Sequence, residues 1–322
     1  MKRNQQGIDK ENGMVKLSVV WRTLTITKNP LVVLSMKRKK NRKSVTFRNG
    51  LTFSLTWPQF RVFRDSYSIL ANYSITQESD DLFRIKGQNS EVVCSSQLTP
   101  LVCDLMRDFA VNQIERGTFH VKNGDFQAVG SASMLTCVKE LQAGEYECDC
   151  QNKVVLDIGG FEGESAAYFW SKKARRIIIY EPVEEHIQWI GKNISLNKID
   201  AEVYQAGIGN KNGTKTIQFD EVDIGFGLLN MGSKSREIKI RDISEVIKES
   251  GADVAKFDCE GAEESIIEVP AEILRKINCY LVEVHSEEIR EAILRKFHET
   301  GFKLEHERCK SKFSILTFKK ID

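Results

Sequence analysis

The stretch "VVLDIGGFEGES" (154–165) decides how the chain folds. It opens as an apolar run, meets Gly159, Gly160 and Gly163, and continues into "ESAAYFWSKK" (164–173), which reads as a helix. A short apolar run bounded by glycines is a fully buried strand, and the glycines permit a tight turn from strand to helix. The alternation continues toward the C-terminus. "RIIIYEP" (176–182), "AEVYQAGIG" (201–209), "VAKFD" (254–258) and "CYLVEVHS" (279–286) read as strands. "EEHIQWIGKNISLN" (184–197), "ISEVIKES" (243–250) and a segment near 287–299 read as helices. Strands alternating with helices predict an α/β fold, a mostly parallel sheet with helices on both faces. "TKTIQF" (214–219) and "EIKIRD" (237–242) read as an inserted strand pair, and "FKLEHER" with "SKFSILTFKK" as an antiparallel C-terminal hairpin.

The first half is organised differently. Residues 1–43 form a basic N-terminal segment that ends in "KRKKNRK" (37–43), and residues 44–150 a hairpin and helical lead-in to a cofactor-binding domain over 151–322. "SVTFRNGLTFSLTW" (44–57) alternates around Asn49-Gly50, a hairpin signal. Pro30 is placed to open a short helix, and residues 60–150 read as mostly helical. Residues 1–50 hold 13 Lys/Arg against 2 Asp/Glu, while the remainder holds 34 against 43. The basic segment, residues 37–48 above all, is therefore expected to make peripheral contact with an anionic surface such as lipid headgroups or an acidic glycan carrier. "LSVVWRTLTITKNPLVVLSM" (17–36) is interrupted by Arg22, Lys28 and Pro30, so no transmembrane segment is expected. Eight cysteines without a C-x-x-C pair, and no apolar leader, suit reduced thiols in a cytoplasmic protein.

In an open α/β sheet the ligand lies beyond the carboxyl ends of the strands. The first such end carries Asp157, Gly159, Gly160 and Gly163 in the spacing D-x-G-x-x-x-G. A dinucleotide fingerprint ending at Gly163 needs a glycine where Ile158 stands. A carboxylate at Asp157 repels a pyrophosphate and attracts the cationic methionine portion of S-adenosylmethionine. Glu181 ends the second strand, where a carboxylate accepts hydrogen bonds from a ribose diol.

"VVLDIGGFEGES", "IIIYEPVEEHIQWIGKNISLN", "AGIGNKNGTKTI", "VAKFDCEGAEESII" and "CYLVEVH" occur in the order seen in the FkbM family of S-adenosylmethionine-dependent methyltransferases. The chain resembles that family over roughly 150–300, including a K-I-D-x-E-G-x-E signature in which Phe257 replaces isoleucine. The resemblance implies a class I methyltransferase (Rossmann-like) fold with a seven-stranded sheet. It also implies methyl transfer to a hydroxyl of a sugar, glycan, polyketide or similar small molecule. Asp157, Gly159, Gly160, Gly163, Glu181 and Gly207 are the expected cofactor residues. Gly160-Phe161 departs from the Ala-Asn found in many members.

"KFDCEGAEESII" (256–267) places four carboxylates where the fourth strand meets a helix. Lys256, Asp258 and Glu260 alternate and so share a face of an extended chain. Glu263 and Glu264 suit a solvated first helical turn, where acids complement the dipole. "LVEVH" brings Glu283 and His285 to the neighbouring strand end, while His186, His298 and His306 read as structural. His285, assisted by Asp258 or Glu260, is expected to take the acceptor's hydroxyl proton. A magnesium or manganese ion held by Asp258, Glu260, Glu283 and His285 is the rival, and no metal is expected. The loop "DIGFGLLNMGSKS" (223–235) is expected to cover the acceptor. The alternatives are a nucleic-acid methyltransferase using the basic N-terminus and a non-catalytic binding protein. "DCEG" in place of a base-stacking N/D-P-P-Y/F motif disfavours the first. Acids at four strand ends disfavour the second.

Overall fold

The apolar runs assemble into one seven-stranded sheet. Its strands are β1 (Val154–Ile158), β2 (Arg176–Tyr180), β3 (Ala201–Tyr204), β4 (Val254–Phe257), β5 (Cys279–Val284), β6 (Phe302–Cys309) and β7 (Ser314–Lys320), ordered β3-β2-β1-β4-β5-β7-β6. The strands β1 to β5 pair in parallel, and β7 runs antiparallel to both β5 and β6. The structure, a computed structural model, describes residues 17–39, 41–219, 234–259, 261–309 and 313–321. Helices cover both faces, which is why β1, β4 and β5 are buried at every position.

Alternation sorts the side chains of these strands. Leu156, Ile158, Ala255, Phe257, Tyr280 and Val282 join one apolar cluster with Ile243, Val246 and Ile247 of the helix Ile243–Ser250 and with Ile293 and Phe297 of the helix Glu287–Glu299. The opposite parity carries Asp157, Lys256 and Glu283. Asp157 and Lys256 are direct partners in the β1–β4 register. A polar row therefore crosses an otherwise apolar sheet near its carboxyl end.

The chain divides into Met1–Arg107 and Asp108–Asp322. In the first unit the Asn49-Gly50 hairpin forms as read, Lys43–Thr46 pairing with Thr52–Leu55, and Gly50 takes φ +97°. Phe53, Phe63 and Phe83 pack with ring centroids 4.9–5.4 Å apart. The helix Pro30–Lys39 starts at Pro30 as expected.

Residues 60–150 correct the helical reading. They hold two three-stranded antiparallel sheets, Ser74–Gln77, Leu82–Lys86 and Glu91–Ser95 in the first unit, and Ala110–Glu115, Thr118–Asn123 and Phe126–Gly130 in the second. Each strand is four to six residues long, so its alternation is too brief to stand out beside helices such as Trp57–Asp65 and Ala132–Gln142. The expected boundary at 150/151 thus lies inside the second unit. There the strand Phe126–Gly130 packs on the helices Glu164–Ser171 and Glu184–Asn197. Buried Asn193 acts as a substitute strand for it, its amide accepting from the Val129 N–H and donating to the Val129 carbonyl, each at 2.8 Å.

The inserted pair is present as Gly213–Phe219 and Lys234–Asp242, joined by Gly207–Gly209 in a small sheet. The expected acceptor-covering loop lies almost wholly outside the described residues.

Gly159 sets the spacing of β1 and β4. It has φ +79°, and a Cβ there would lie 1.7 Å from the Asp258 carbonyl oxygen. Gly159→Ala is expected to lose about 3 kcal/mol or more of stability, since the strained backbone and the overpacking each cost ~1–3 kcal/mol. Urea denaturation checks this, and an unchanged midpoint would show that the loop does not depend on this contact.

Candidate functional site

The first loop leaves β1 over a buried ion pair. Lys256 Nζ lies 3.1 Å from Asp157 Oδ1 and donates to the Gly159 carbonyl at 2.9 Å. The second Asp157 oxygen accepts from Ser165 Oγ at 2.6 Å. Asp157 is completely buried and Lys256 nearly so. Burial alone would push the lysine down, but Asp157 and then Asp258 outweigh it and hold Lys256 firmly protonated. Asp157 therefore braces the loop from beneath. Glu181 braces the other side, with Oε2 accepting from the Phe161 N–H at 3.0 Å and Oε1 from the Val183 N–H at 2.9 Å. His186 Nδ1 also lies 3.1 Å from Oε1.

From Lys256 the polar row continues along the ends of β4 and β5. Lys256 Nζ is 3.6 Å from Asp258 Oδ2. Tyr146 donates its hydroxyl between two carboxylates, at 3.1 Å from Asp258 Oδ2 and 2.5 Å from Glu283 Oε2. His285 Nε2 is 3.1 Å from Glu283 Oε1, and its Nδ1 is 3.0 Å from Glu263 Oε1. Glu263 in turn accepts from the backbone N–H groups of His285 and Gly261.

One hydroxyl hydrogen is shared between the two carboxyls, so their charges crowd one another. Burial, and then the charge of Asp258, raises the pKa of Glu283. Burial also pushes Glu263 upward, but His285 and the backbone N–H groups outweigh it, and its carboxyl lies below the usual range.

The structure brings Asp157, Gly159, Asp258 and His285 into this one network and places Glu181 at the adjacent loop. Gly160 packs against Ile179, where a Cβ would approach to 2.3 Å, and Gly163 has φ +90° at the helix entry. Gly207 stands apart in the small sheet, packed on Ile238 and Ile240. Glu260 lies outside the described residues. Glu263 corrects its reading as a solvated first-turn acid. It is completely buried in a 3-10 turn and grips His285. Tyr146 was missed, because a lone tyrosine before "ECDC" carries no motif and its partners lie 112 and 137 residues away. Glu164 was missed as well. It is buried beside the first loop, and its Oε2 has no hydrogen-bond partner among the described residues. Among those residues no group of three His, Cys, Asp or Glu is arranged to hold a metal ion.

Residues 157–304 match the Methyltransferase FkbM domain. The chain carries an FkbM methyltransferase domain. No curated protein matches the chain. Among solved structures, a putative methyltransferase complexed with S-adenosylhomocysteine is similar at 7% identity, covering 87% of both chains with a TM-score of 0.46. A putative RNA methyltransferase from Pyrococcus horikoshii is similar at 16% identity over 58% of this chain and 84% of its own, with a TM-score of 0.39. A Methanococcus jannaschii fibrillarin pre-rRNA processing protein is similar at 9% identity over 77% and 97%, with a TM-score of 0.40.

The FkbM domain uses S-adenosylmethionine as its methyl donor, and the residues present fit that cofactor. The loop glycines admit no side chains. The cluster beside the loop holds more carboxyls than cations, and Glu164 adds a buried, unpartnered oxygen whose pKa is raised by burial and by Glu162. Such a site suits a ligand with ammonium and sulfonium charge. No helix among the described residues is long and apolar enough to cross a membrane.

Tyr146→Phe removes the hydroxyl between Asp258 and Glu283. It is expected to cost ~1–3 kcal/mol of stability, the penalty for unsatisfied buried polar groups. Glu283's folded pKa is raised, so its contribution is present below the ordinary carboxyl range and is lost as pH rises through the folded value. The Tyr146 hydroxyl bonds the ionised carboxylate and opposes that rise, so its removal costs more where Glu283 ionises, and the loss in Tyr146→Phe should be larger at pH 8 than at pH 5. Urea denaturation at both values checks this, and equal losses would show that the Tyr146 hydroxyl does not act on the ionisation of Glu283.

Proposed function

We propose that the FkbM domain methylates a hydroxyl oxygen on a sugar, glycan or other small molecule, with Asp258 receiving the hydroxyl proton. The observation that carries this reading is the exposure of Asp258. Its side chain is 30% exposed, against 8% for Glu283 and 0% for Asp157 and Glu263. Lys256 and Tyr146 both engage its Oδ2, while Oδ1 takes no hydrogen bond among the described residues. Asp258 is thus a fixed carboxylate with one oxygen directed away from its holders.

Bound S-adenosylmethionine supplies a methyl group on a sulfonium sulfur, which asks mainly for an aligned nucleophile. An alcohol is a weak nucleophile until its proton has an acceptor, and a positioned carboxylate provides one. His285 was the expected base. Both of its ring nitrogens face carboxylates, so it suits a role behind Glu283, orienting the row rather than meeting the acceptor. Glu181 Oε2 takes one N–H and retains an acceptor position for a ribose hydroxyl. The acidic row disfavours a polyanionic acceptor, which supports a small hydroxylated molecule over nucleic acid.

Label transfer from methyl-labelled S-adenosylmethionine to panels of sugars, glycans, other hydroxylated small molecules and RNA tests the acceptor class. Label on RNA in preference to hydroxylated small molecules would overturn the reading. Asp258→Asn is expected to lose roughly 10²–10⁴ in turnover with S-adenosylhomocysteine affinity retained. His285→Ala should lose less, and unchanged turnover in Asp258→Asn would remove it as the proton acceptor. In calorimetry, Glu181→Ala should weaken S-adenosylhomocysteine by ~1.5–3 kcal/mol, the value of hydrogen bonds to a charged group. Unchanged affinity would take Glu181 out of the cofactor site.

A further inference from the structure

Eight large apolar side chains are exposed among the described residues, and four of them, Trp21, Leu24, Leu31 and Val32, fall within twelve positions of the first unit. Trp21 is 69% and Leu31 80% exposed. These residues sit on two consecutive ten-residue helices, Leu17–Ile26 and Pro30–Lys39. The inward positions of the same helices are filled by buried Thr23, Val33 and Met36, with Thr27 buried in the link between them. The helices are therefore seated, and the exposed residues are those left outside.

The seat is firm. Thr27 bridges to Phe47, the Lys28 N–H donates to the Thr46 carbonyl at 2.8 Å, and the Arg48 N–H donates to the Ile26 carbonyl at 2.9 Å. Asn29 accepts from the Thr46 N–H and donates to the Ser44 carbonyl. These bonds fix the turn between the helices, so the outward residues are held in place on a folded scaffold.

Positive charge lies among them. Lys28 is exposed between Leu24 and Leu31 in sequence. The exposed Arg48 donates its guanidinium to the Leu24 carbonyl at 3.1 Å. Arg22, next to Trp21, lies 3.7 Å from Asp65, and Arg42 lies 3.4 Å from Asp80. In sequence the second helix runs into "KRKKNRK" (37–43). Tryptophan and leucine beside lysine and arginine, on short helices anchored from behind, match what lies in the plane of a bilayer interface. There the aromatic ring sits at headgroup level and the cations meet anionic lipid.

We propose that residues 21–32, with Arg48, form an in-plane docking surface for an anionic lipid bilayer, with Trp21, Leu24, Leu31 and Val32 entering the interface and Lys28 and Arg48 meeting the headgroups. Charge complementarity selects lipid over a second copy of this chain, because two such basic patches would repel. The surface is independent of methyl transfer, so its failure would leave the catalytic reading untouched.

Sedimentation of the full chain with vesicles tests it. Binding to mixed phosphatidylserine and phosphatidylcholine vesicles should exceed binding to pure phosphatidylcholine and fall as salt is raised. Trp21→Ser combined with Leu31→Ser should weaken it about tenfold or more, since each removes several buried carbon groups from the interface. Lys28→Gln alone should weaken it about fivefold, the value of one basic residue near an anionic surface. Ile114→Ser, an exposed apolar residue of the other unit, should change nothing. All variants should keep the wild-type melting temperature, because only exposed side chains change. Absence of vesicle binding, or equal binding by wild type and the serine variants, would overturn the proposal. So would self-association that the double variant abolishes, which would assign the patch to a second copy.

Discussion

The ion pair between Asp157 and Lys256 is the contact on which the site depends. It joins β1 to β4 in register, and the same ammonium group reaches the carbonyl of Gly159 and the carboxylate of Asp258. Breaking a buried pair by removing one partner typically costs 3–5 kcal/mol, because it strands the other charge. Here that stranded charge would also lie directly under the glycine turn that follows β1. One buried lysine thus couples the shape of the first loop to the orientation of the carboxylate at the rim.

The residues that complete this arrangement come from outside the FkbM match at 157–304. Tyr146 supplies the hydroxyl that lets Asp258 and Glu283 lie close together. Glu162 of the first loop accepts from the Ser131 N–H at 2.7 Å, and a Cβ at Gly130 would fall 2.0 Å from that carboxylate and displace it. Asn193 binds both the lead-in strand and the Glu162 carbonyl. Residues 108–150 are therefore part of the wall of the site, which explains why they fall in one unit with the large sheet.

The parallel strands, the inserted pair and the C-terminal hairpin were legible because each extends over several residues of one strong pattern. The Asn49-Gly50 turn was legible because few other dipeptides suit it. The short strands of 74–130 were not, since four to six alternating residues leave too weak a signal beside helical neighbours. At the site, Asp157, Asp258 and His285 were found from their places at strand ends. Their partners were not, because a hydrogen bond across 112 residues has no local signature.

The sequence alone determined the α/β class, the position of the glycine turn after β1 and the row of acids at the strand ends, since all three follow from periodicity and from residue types adjacent in the chain. Tertiary structure decided what each acid does. Asp157 and Glu263 became buried braces, Glu283 a buried carboxyl with a raised pKa, and Asp258 the carboxylate left partly open. Those roles depend on burial and on which charges lie nearby, and both are set only when β1, β4, β5 and residues 108–150 meet in space.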